Sequence, residues 1–307
     1  MKAPLFRDPI YDGATDPVVV YNRETKEHHM LYTQRRATET SIGYSNIHGT
    51  KIGVATSADG SDWLYRGTLN GLEFEHGDNT FWAPEVLYAG GKYHMYLSYV
   101  RGVPTTWEYP RSMVYYTSDN LWDWNFEQVL ALSSDKIIDA CVYEIEDGLY
   151  KMWYKDERDQ NHSYAAVSRN LKDWRVLGAE ICDVPHEGPN VFELGGKKWM
   201  ITDYWQGLAV YESGDFRTWT RKADILNVPG TRTDDGGFGH HADVVVQGDT
   251  GYIFYFVHPG ELPSGEFGRN PEYARSRTSI QAARLVVREG ELCCDRNEDF
   301  TLSLQPE

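Results

Sequence analysis

Five residues that could take part in acid–base chemistry or ligand binding recur at equivalent places in a repeated sequence pattern. Each stands thirteen or fourteen residues before a Met or Phe that marks the repeat, and the five are Asp16, Trp82, Asp139, Glu187 and His241. Three of them are carboxylic acids. Carboxyl groups brought close together raise one another's pKa, and a protein seldom keeps that cost without a function. The pattern therefore predicts a catalytic site.

A set of carboxyl groups of this kind is suited to cleaving a glycosidic bond. One carboxylate activates water or attacks the sugar carbon, a protonated carboxyl assists the leaving oxygen, and a third keeps that acid protonated. Aromatic rings near such a site offer an apolar face to a sugar. The side chains that we expect to contact a substrate are Trp82, Tyr154, Trp205, Arg35, His186 and His241.

Several of these residues also have a structural interpretation when each is taken alone. Asp16 precedes a proline and is typical of a turn. Asp139 could accept a backbone N–H, His241 could be a hydrogen-bonded core residue, and Trp82 could serve packing. Taken together, these structural interpretations are less convincing, because neither packing nor turns explain why carboxylic acids occur at three equivalent places.

The repeat itself predicts the fold. Five stretches each read as an apolar strand, a polar turn and an aromatic-rich strand, and they are marked by Met30, Met95, Met152, Met200 and Phe254. Four of them are followed by a polar turn and a tryptophan, at Trp63, Trp124, Trp174 and Trp219. Each unit is therefore about four strands over roughly 50 residues, which predicts an all-β, five-bladed β-propeller of four-stranded antiparallel blades around a central channel. An irregular β-sandwich is the alternative. No linker interrupts the series, so residues 1–307 are predicted to form one domain.

Charge and composition restrict the partners. The chain has 46 acidic and 30 basic residues and a formal net charge of −16, which disfavours nucleic acid, anionic membranes and strongly anionic substrates. The first residues lack the apolar core of a signal peptide, which predicts a cytoplasmic protein, or a secreted one if a leader has been removed. The four cysteines show no C-x-x-C pair and are expected to be free thiols.

Short motifs at the five positions carry a resemblance to a known family. They are Asp-Pro at Asp16, Trp-Ala-Pro at Trp82, Ile-Asp at Asp139, Glu-Gly-Pro at Glu187 and Gly-His-His at His241. In this order they resemble glycoside hydrolase family 43, which is related to families 32, 117 and 130. The resemblance implies an inverting mechanism with Asp16 as general base, Asp139 as pKa modulator and Glu187 as general acid. It implies no required cofactor, and it allows a structural calcium ion in the channel that His241 would contact through water.

The sequence departs from two of the related families. Retaining fructosidases of family 32 favour Asn-Asp-Pro-Asn and Glu-Cys, where this chain has Thr-Asp-Pro-Val and Glu-Gly-Pro. His186 resembles the histidine that acts as the acid in family 117. Adjacent strand residues point to opposite faces, so Glu187 is kept as the acid and His186 lies behind it or contacts the substrate.

Three further expectations complete the sequence-based hypothesis. The enzyme is expected to remove a terminal sugar from short oligosaccharides, with the loops that begin at Arg101 and His258 forming walls of a pocket. Asp16 and Glu187 come from blades that are not neighbours, which favours the wider carboxyl separation of an inverting enzyme, roughly 6.5–9.5 Å. The alternatives are a silent sugar-binding propeller and a glycoside phosphorylase, whose phosphate site would need Arg35, Arg36 or Arg232.

Overall fold

Strand and turn signals alternate along the chain, and the computed structural model, which describes residues 1–39, 42–260 and 273–306, contains five antiparallel sheets of four consecutive strands. The strands, four to a blade in chain order, are β1 (Ala14–Asn22), β2 (Glu27–Gln34), β3 (Lys51–Ser57), β4 (Leu64–Thr68); β5 (Thr80–Ala89), β6 (Lys92–Val100), β7 (Ser112–Ser118), β8 (Asn125–Val129); β9 (Ile137–Glu146), β10 (Leu149–Asp156), β11 (His162–Ser168), β12 (Arg175–Ile181); β13 (Glu187–Leu194), β14 (Lys197–Asp203), β15 (Leu208–Ser213), β16 (Trp219–Arg221); β17 (His240–Gln247), β18 (Thr250–Val257), β19 (Ser279–Arg288) and β20 (Glu291–Cys294).

The first strand of each blade lines the centre of the molecule. β1, β5, β9, β13 and β17 contact one another in a closed ring. The predicted all-β, five-bladed propeller is therefore confirmed. The described chain has one short helix, α1 (Tyr273–Ser276), and no helix long and apolar enough to cross a membrane.

The repeated turn with tryptophan has a local cause. In blade two the Asn120 carboxamide oxygen accepts the backbone N–H groups of Trp122 and Asp123, each at 2.9 Å, which closes an Asx turn. The Trp124 indole then donates to the Leu121 carbonyl oxygen at 3.2 Å. Related turns recur in the other blades at Asp59, Asn170 and Asp215. The turn and its tryptophan thus end the third strand of a blade and begin the fourth.

The hydrophobic core lies between neighbouring blades, in five separate clusters that fill the gaps around the ring. The residues that mark the repeat, Met30, Met95, Met152, Met200 and Phe254, are all fully buried there. Burial of apolar side chains against the next blade is the main stabilising contribution in such a stack, because each blade alone would leave both faces exposed.

Polar side chains also tie the inner strands together below the bulges described next. The backbone N–H groups of Val142, Val191 and Val19 donate across blade boundaries to Glu85, Cys141 and Asp243, at 2.7, 3.2 and 2.8 Å. Burial raises the pKa of Asp243 to about 6, because its carboxylate sits in a medium of low polarity. All four cysteines are free thiols.

The ring closes through segments outside the blades. Near the start of the chain, Leu5 donates its backbone N–H to the Ile280 carbonyl oxygen at 2.9 Å, and the Ile280 N–H donates to Phe6. At the other end, the Leu304 N–H donates to the Asp59 carbonyl oxygen at 2.7 Å. Blade five is therefore joined to the first residues of the chain, and blade one to the last.

Candidate active site

Every inner strand contains a β-bulge at the end where the five predicted residues lie. The pairing register shifts between Thr15 and Val18 in blade one and at the corresponding place in the other four. Within these bulges the backbone adopts a positive φ at Asp16 (50°), Ala83 (46°), Asp139 (59°) and Gly188 (56°). A bulge of this kind redirects a side chain, and aspartate tolerates the left-handed conformation better than most residues.

The bulges correct the predicted equivalence of the five residues. Asp16 and Asp139 occupy the left-handed position itself, where blades two and four have Ala83 and Gly188. Glu187 stands one residue earlier in its blade, as Trp82 does. Counting back from a core methionine does not detect this offset, because the hairpins differ in length: Met152 pairs with Val142, ten residues earlier, and Met200 with Val191, nine residues earlier.

A histidine lies at the centre of the candidate site. The Nδ1 atom of His241 is 3.7 Å from Oδ1 of Asp16 and 3.8 Å from Oδ2 of Asp139. Asp139 also accepts the Gly188 backbone N–H at 3.2 Å, and Thr15 donates its hydroxyl to Asp16 at 3.0 Å. Two carboxyl groups from blades one and three are thus held around one imidazole ring from blade five.

Glu187 lies beside this group and is held by a lysine. Its Oε2 atom is 2.9 Å from Nζ of Lys155 on β10, and the lysine side chain is only 4% exposed, against 22% for Glu187. Lys155 also lies 3.5 Å from Glu157, which in turn lies 3.4 Å from the fully buried Arg111. A chain of alternating charges therefore runs from the protein interior to Glu187.

These contacts separate the acidities of the carboxyl groups. Burial, together with the charges of Glu187 and Asp16, raises the pKa of Asp139 to about 7. Burial acts in the same direction on Glu187, but the charge and hydrogen bond of Lys155 outweigh it and lower the pKa of Glu187 to about 2. Burial would lower the pKa of His241, yet the charges of Asp139, Asp16 and Glu187 raise it. In the ligand-free protein Asp139 therefore keeps a proton to higher pH than Glu187 does.

A cavity of about 320 Å³ lies beside Glu187 and Asp203, whereas Asp16, Asp139 and His241 are not among the residues that line it. Its walls include Arg35, Trp107, Lys155, Glu187, Trp205 and Phe256. Three of the predicted residues, Glu187, Arg35 and Trp205, thus line it, and Arg35 lies 3.7 Å from Asp16. Trp107 comes from the loop that begins at Arg101, and His258, Arg275 and Ser276 come from the loop that begins at His258. Residues 261–272 of that second loop lie outside the described residues.

Three predicted substrate contacts are corrected. Tyr154 is fully buried in the cluster between blades two and three, and its hydroxyl donates to Ser133. Trp82 is stacked behind Trp107, with ring centroids 5.7 Å apart, and its indole donates to a backbone carbonyl. The third, His186, is fully buried, between the Ser163 hydroxyl and the Val184 carbonyl. Tyr154 and His186 each stand next to a residue that lines the cavity, Lys155 and Glu187, and they point the other way because side chains alternate along a strand.

Two residues of the site, Lys155 and Asp203, were missed by the sequence analysis. Lys155 reads as an ordinary strand-end lysine. Asp203 ends β14, where its carboxylate accepts the backbone N–H groups of His241 and Trp205 at 3.0 and 2.7 Å. The Asp-Tyr-Trp run after an apolar strand was the available signal for Asp203, because an acid there can organise a turn.

The residues present do not fit a directly bound calcium ion. Within the described ranges, no group of three His, Cys, Asp or Glu side chains is arranged to hold a metal. The His241 Nδ1 atom instead faces two carboxylates.

Comparison with known proteins identifies the family. Residues 8–205 match a family related to glycoside hydrolase family 43 and described as a "probable glycosyl hydrolase domain". The chain belongs to this family. The resemblance inferred from the motifs is thereby confirmed, and the protein is a glycosidase of the family 43-related group. No curated protein sequence matches the chain.

Solved structures of low sequence identity share the fold of this family 43-related glycosidase. A thermostable family 43 glycoside hydrolase has 18% identity and a TM-score of 0.68, with 98% of each chain covered. A family 43 β-1,3-galactosidase has 13% identity and a TM-score of 0.68, over 96% of this chain and 99% of that one. A β-xylosidase/α-arabinofuranosidase from a compost microbial metagenome has 14% identity and a TM-score of 0.67, over 92% and 94%.

Proposed function

We propose that this glycosidase removes a terminal sugar from short oligosaccharides with inversion of configuration. In this proposal Asp16 is the general base that activates water, Glu187 is the general acid, and Asp139 sets their acidity and orientation. The observation that supports the proposal most directly is that His241 lies within 4 Å of both Asp16 and Asp139, while the neighbouring Glu187 lines a cavity.

The chemistry of the residues supports these roles. Asp16 accepts a hydrogen bond from Thr15 and lies 3.7 Å from Arg35, and these contacts hold its carboxyl group in place beside His241. Asp139 is almost fully buried and contacts the Gly188 backbone and His241, which suits a residue whose charge acts on its neighbours. Glu187 alone of the three lines the cavity, where a leaving oxygen would need a proton. Because Lys155 keeps Glu187 ionised in the ligand-free protein, Glu187 must take up that proton when a substrate engages Lys155.

The cavity supports a small substrate. Its volume of about 320 Å³ is at the lower end of the range for small-molecule sites, which suits one or two sugar rings. Trp107 and Trp205 offer aromatic faces on its walls. Enzymes of the same fold act on xylosides, arabinofuranosides and galactosides, and one was solved with xylotriose. We infer a related short oligosaccharide as the substrate class.

The alternatives have less support. The side chain of Arg36 donates to the Ser45 and His48 carbonyl oxygens, and that of Arg232 to Asp235 and the Ala282 carbonyl oxygen. Of the arginines expected to bind phosphate, only Arg35 lines the cavity. A silent sugar-binding protein would not need three carboxyl groups.

A substrate screen tests the proposal. Aryl furanosides, aryl pyranosides and plant oligosaccharides should be incubated with the protein, with and without inorganic phosphate. We expect release of one terminal sugar without a phosphate requirement, and slow cleavage of long polymers. Formation of a sugar 1-phosphate would support the phosphorylase instead, and binding without turnover across the panel would support the silent protein.

A further inference from the structure

The lysine that pairs with Glu187 belongs to a buried set of four charges. The sequence of contacts is Arg111 to Glu157 at 3.4 Å, Glu157 to Lys155 at 3.5 Å, and Lys155 to Glu187 at 2.9 Å. The first three side chains are 1%, 6% and 4% exposed. Desolvating this many charges is costly unless each has a partner, so the set is stable only as a unit.

A second buried lysine on the same strand shows what a structural ion pair looks like here. Lys151, four residues earlier on β10, lies 2.5 Å from Glu180 and donates to the Phe216 carbonyl oxygen at 2.7 Å. Glu180 is held further by the Trp153 indole at 2.9 Å, so this pair is satisfied within the blades and away from the cavity. Lys155 differs, because its shortest contact is with a carboxylate on the cavity wall.

We propose that Lys155 is a positioning residue for Glu187: its ammonium group, supported by Glu157 and Arg111, fixes the Glu187 carboxylate at the cavity wall and controls when it is ionised. The inference rests on the proposed role of Glu187 as proton donor, and it adds a residue to that role. Lys155 itself lines the cavity, so a substrate hydroxyl oxygen can accept a hydrogen bond from it and compete with Glu187.

Among the groups around Glu187, Lys155 is the one that most strongly favours the ionised form of its carboxyl group. The other groups that face it are the Trp205 indole, His241 from β17, the buried Asp139 from β9, and Asp203, its pairing partner on β14. Of these, Asp139 and Asp203 would disfavour a carboxylate through like charge. Without the ammonium group, Glu187 would be a largely buried acid beside other acids, and it would hold its proton to higher pH.

A titration of Glu187 in the intact protein tests this without any substrate. The protein is labelled with ¹³C at the glutamate carboxyl carbons, and the Glu187 signal is assigned from its loss in Glu187→Gln. In the wild type we expect the Glu187 signal to stay that of a carboxylate below pH 4. Lys155→Met should raise the pKa of Glu187 by at least about 2 units, and Lys155→Arg should restore most of the wild-type behaviour.

Lys151→Met is the matched control, since it also removes a buried lysine from β10. It should lower stability and leave the Glu187 titration unchanged. A wild-type Glu187 that titrates at or above the ordinary glutamate pKa would overturn the proposal, even if no Lys155 variant folds. An equal shift in Lys151→Met would also overturn it, because the effect would then be structural.

Kinetics on an aryl glycoside that the protein cleaves supply the second readout. The basic limb of the pH profile of kcat/KM reports loss of the essential proton in the free enzyme. Lys155→Met should move this limb to higher pH by about one unit or more, and Lys155→Arg and Lys151→Met should leave it in place. An unmoved limb in a folded Lys155→Met that still cleaves substrate would reject the role of Lys155 alone, whereas full activity of Glu187→Gln would reject the proposed function.

Discussion

Gly188 lies directly against the ring of His241. A Cβ atom added at Gly188 would stand 2.6 Å from Cγ of His241, which is closer than real atoms approach. The residue also has a φ of +56°, a conformation that favours glycine. Glycine after Glu187 is therefore required by the position of the histidine in the next blade.

Gly188→Ala should displace His241 and reduce kcat by about 10²-fold, because small misplacements of catalytic groups have large effects. Gly196→Ala is the control. Gly196 has a φ of +72° but nothing within 4 Å of an added Cβ, so that variant carries the backbone strain without the clash. Kinetics and thermal melts of both variants make the comparison, and equal activities would contradict the steric argument.

The carboxyl groups of Asp16 and Glu187 should each be necessary for turnover. Asp16→Asn and Glu187→Gln keep the side-chain shape and remove the ionisable group, so each should reduce kcat by roughly 10³-fold with the fold retained. Glu193→Gln, at the exposed end of the same strand as Glu187, should leave kcat unchanged. Losses of only a few-fold in the first two variants, at an unchanged Tm, would remove them from the catalytic set.

Asp139 should make stability depend on pH. Burial raises its folded-state pKa from 3.8 to about 7, so the folded protein keeps a proton that the unfolded chain releases. The resulting loss of stability grows as the pH rises from about 4 to 7 and remains above it, up to on the order of 4 kcal/mol. Asp139→Asn should therefore raise the Tm more at pH 8 than at pH 4.5. Equal changes in Tm at both pH values would argue against a perturbed Asp139.

Trp107 should contribute to substrate binding, whereas Tyr154 should not. Trp107 lines the cavity, stacked on Trp82 with the Arg111 guanidinium carbon 4.3 Å from its ring centroid, so its face is held rigidly. Trp107→Leu should raise KM about tenfold, and Tyr154→Phe should leave KM within twofold. A larger effect of the tyrosine change on KM would contradict the assignment of the cavity.

The product of the first turnover should have the opposite anomeric configuration to the substrate. Asp16 and Glu187 lie in blades one and four, which are separated by blade five in the ring, and this favours the wider carboxyl spacing that leaves room for water. Proton NMR of the product released before mutarotation reads the configuration. Retention, or a glycosyl ester trapped on Asp16, would show a nucleophile instead of a base.

The sequence was sufficient to predict the propeller, because its signals are local and repeat five times. Strand alternation, Asx turns and the buried methionine column each depend on residues a few positions apart. The acids of the site were also predictable, since three carboxyl groups at related positions have few structural uses. The bulges at Asp16 and Asp139 could not be predicted, because an extra residue in a strand does not give a recognisable pattern of polar and apolar residues.

Contacts between blades were the part that the sequence could not predict. The pairing of Lys155 with Glu187, and of Asp203 with the backbone of His241, joins residues whose distance depends on how neighbouring sheets are stacked. Tyr154 shows the opposite error. An aromatic ring is suited to stacking against a sugar, but the position of Tyr154 on β10 places it in the hydrophobic core. The side-chain types indicated the chemistry of the site, but the stacking of neighbouring sheets determined which residues come into contact.

The ring arrangement also makes activity a late event in folding. Asp16, Asp139, Glu187 and His241 come from four different blades, and the inner strands that carry them meet only when the fifth blade has joined the first. A single blade, or an incomplete series of them, can form its own hairpins early because those contacts are local, but it assembles no catalytic group. Hydrolysis is therefore expected to begin abruptly during refolding, after most of the strand signal has returned, and to report the last step of assembly.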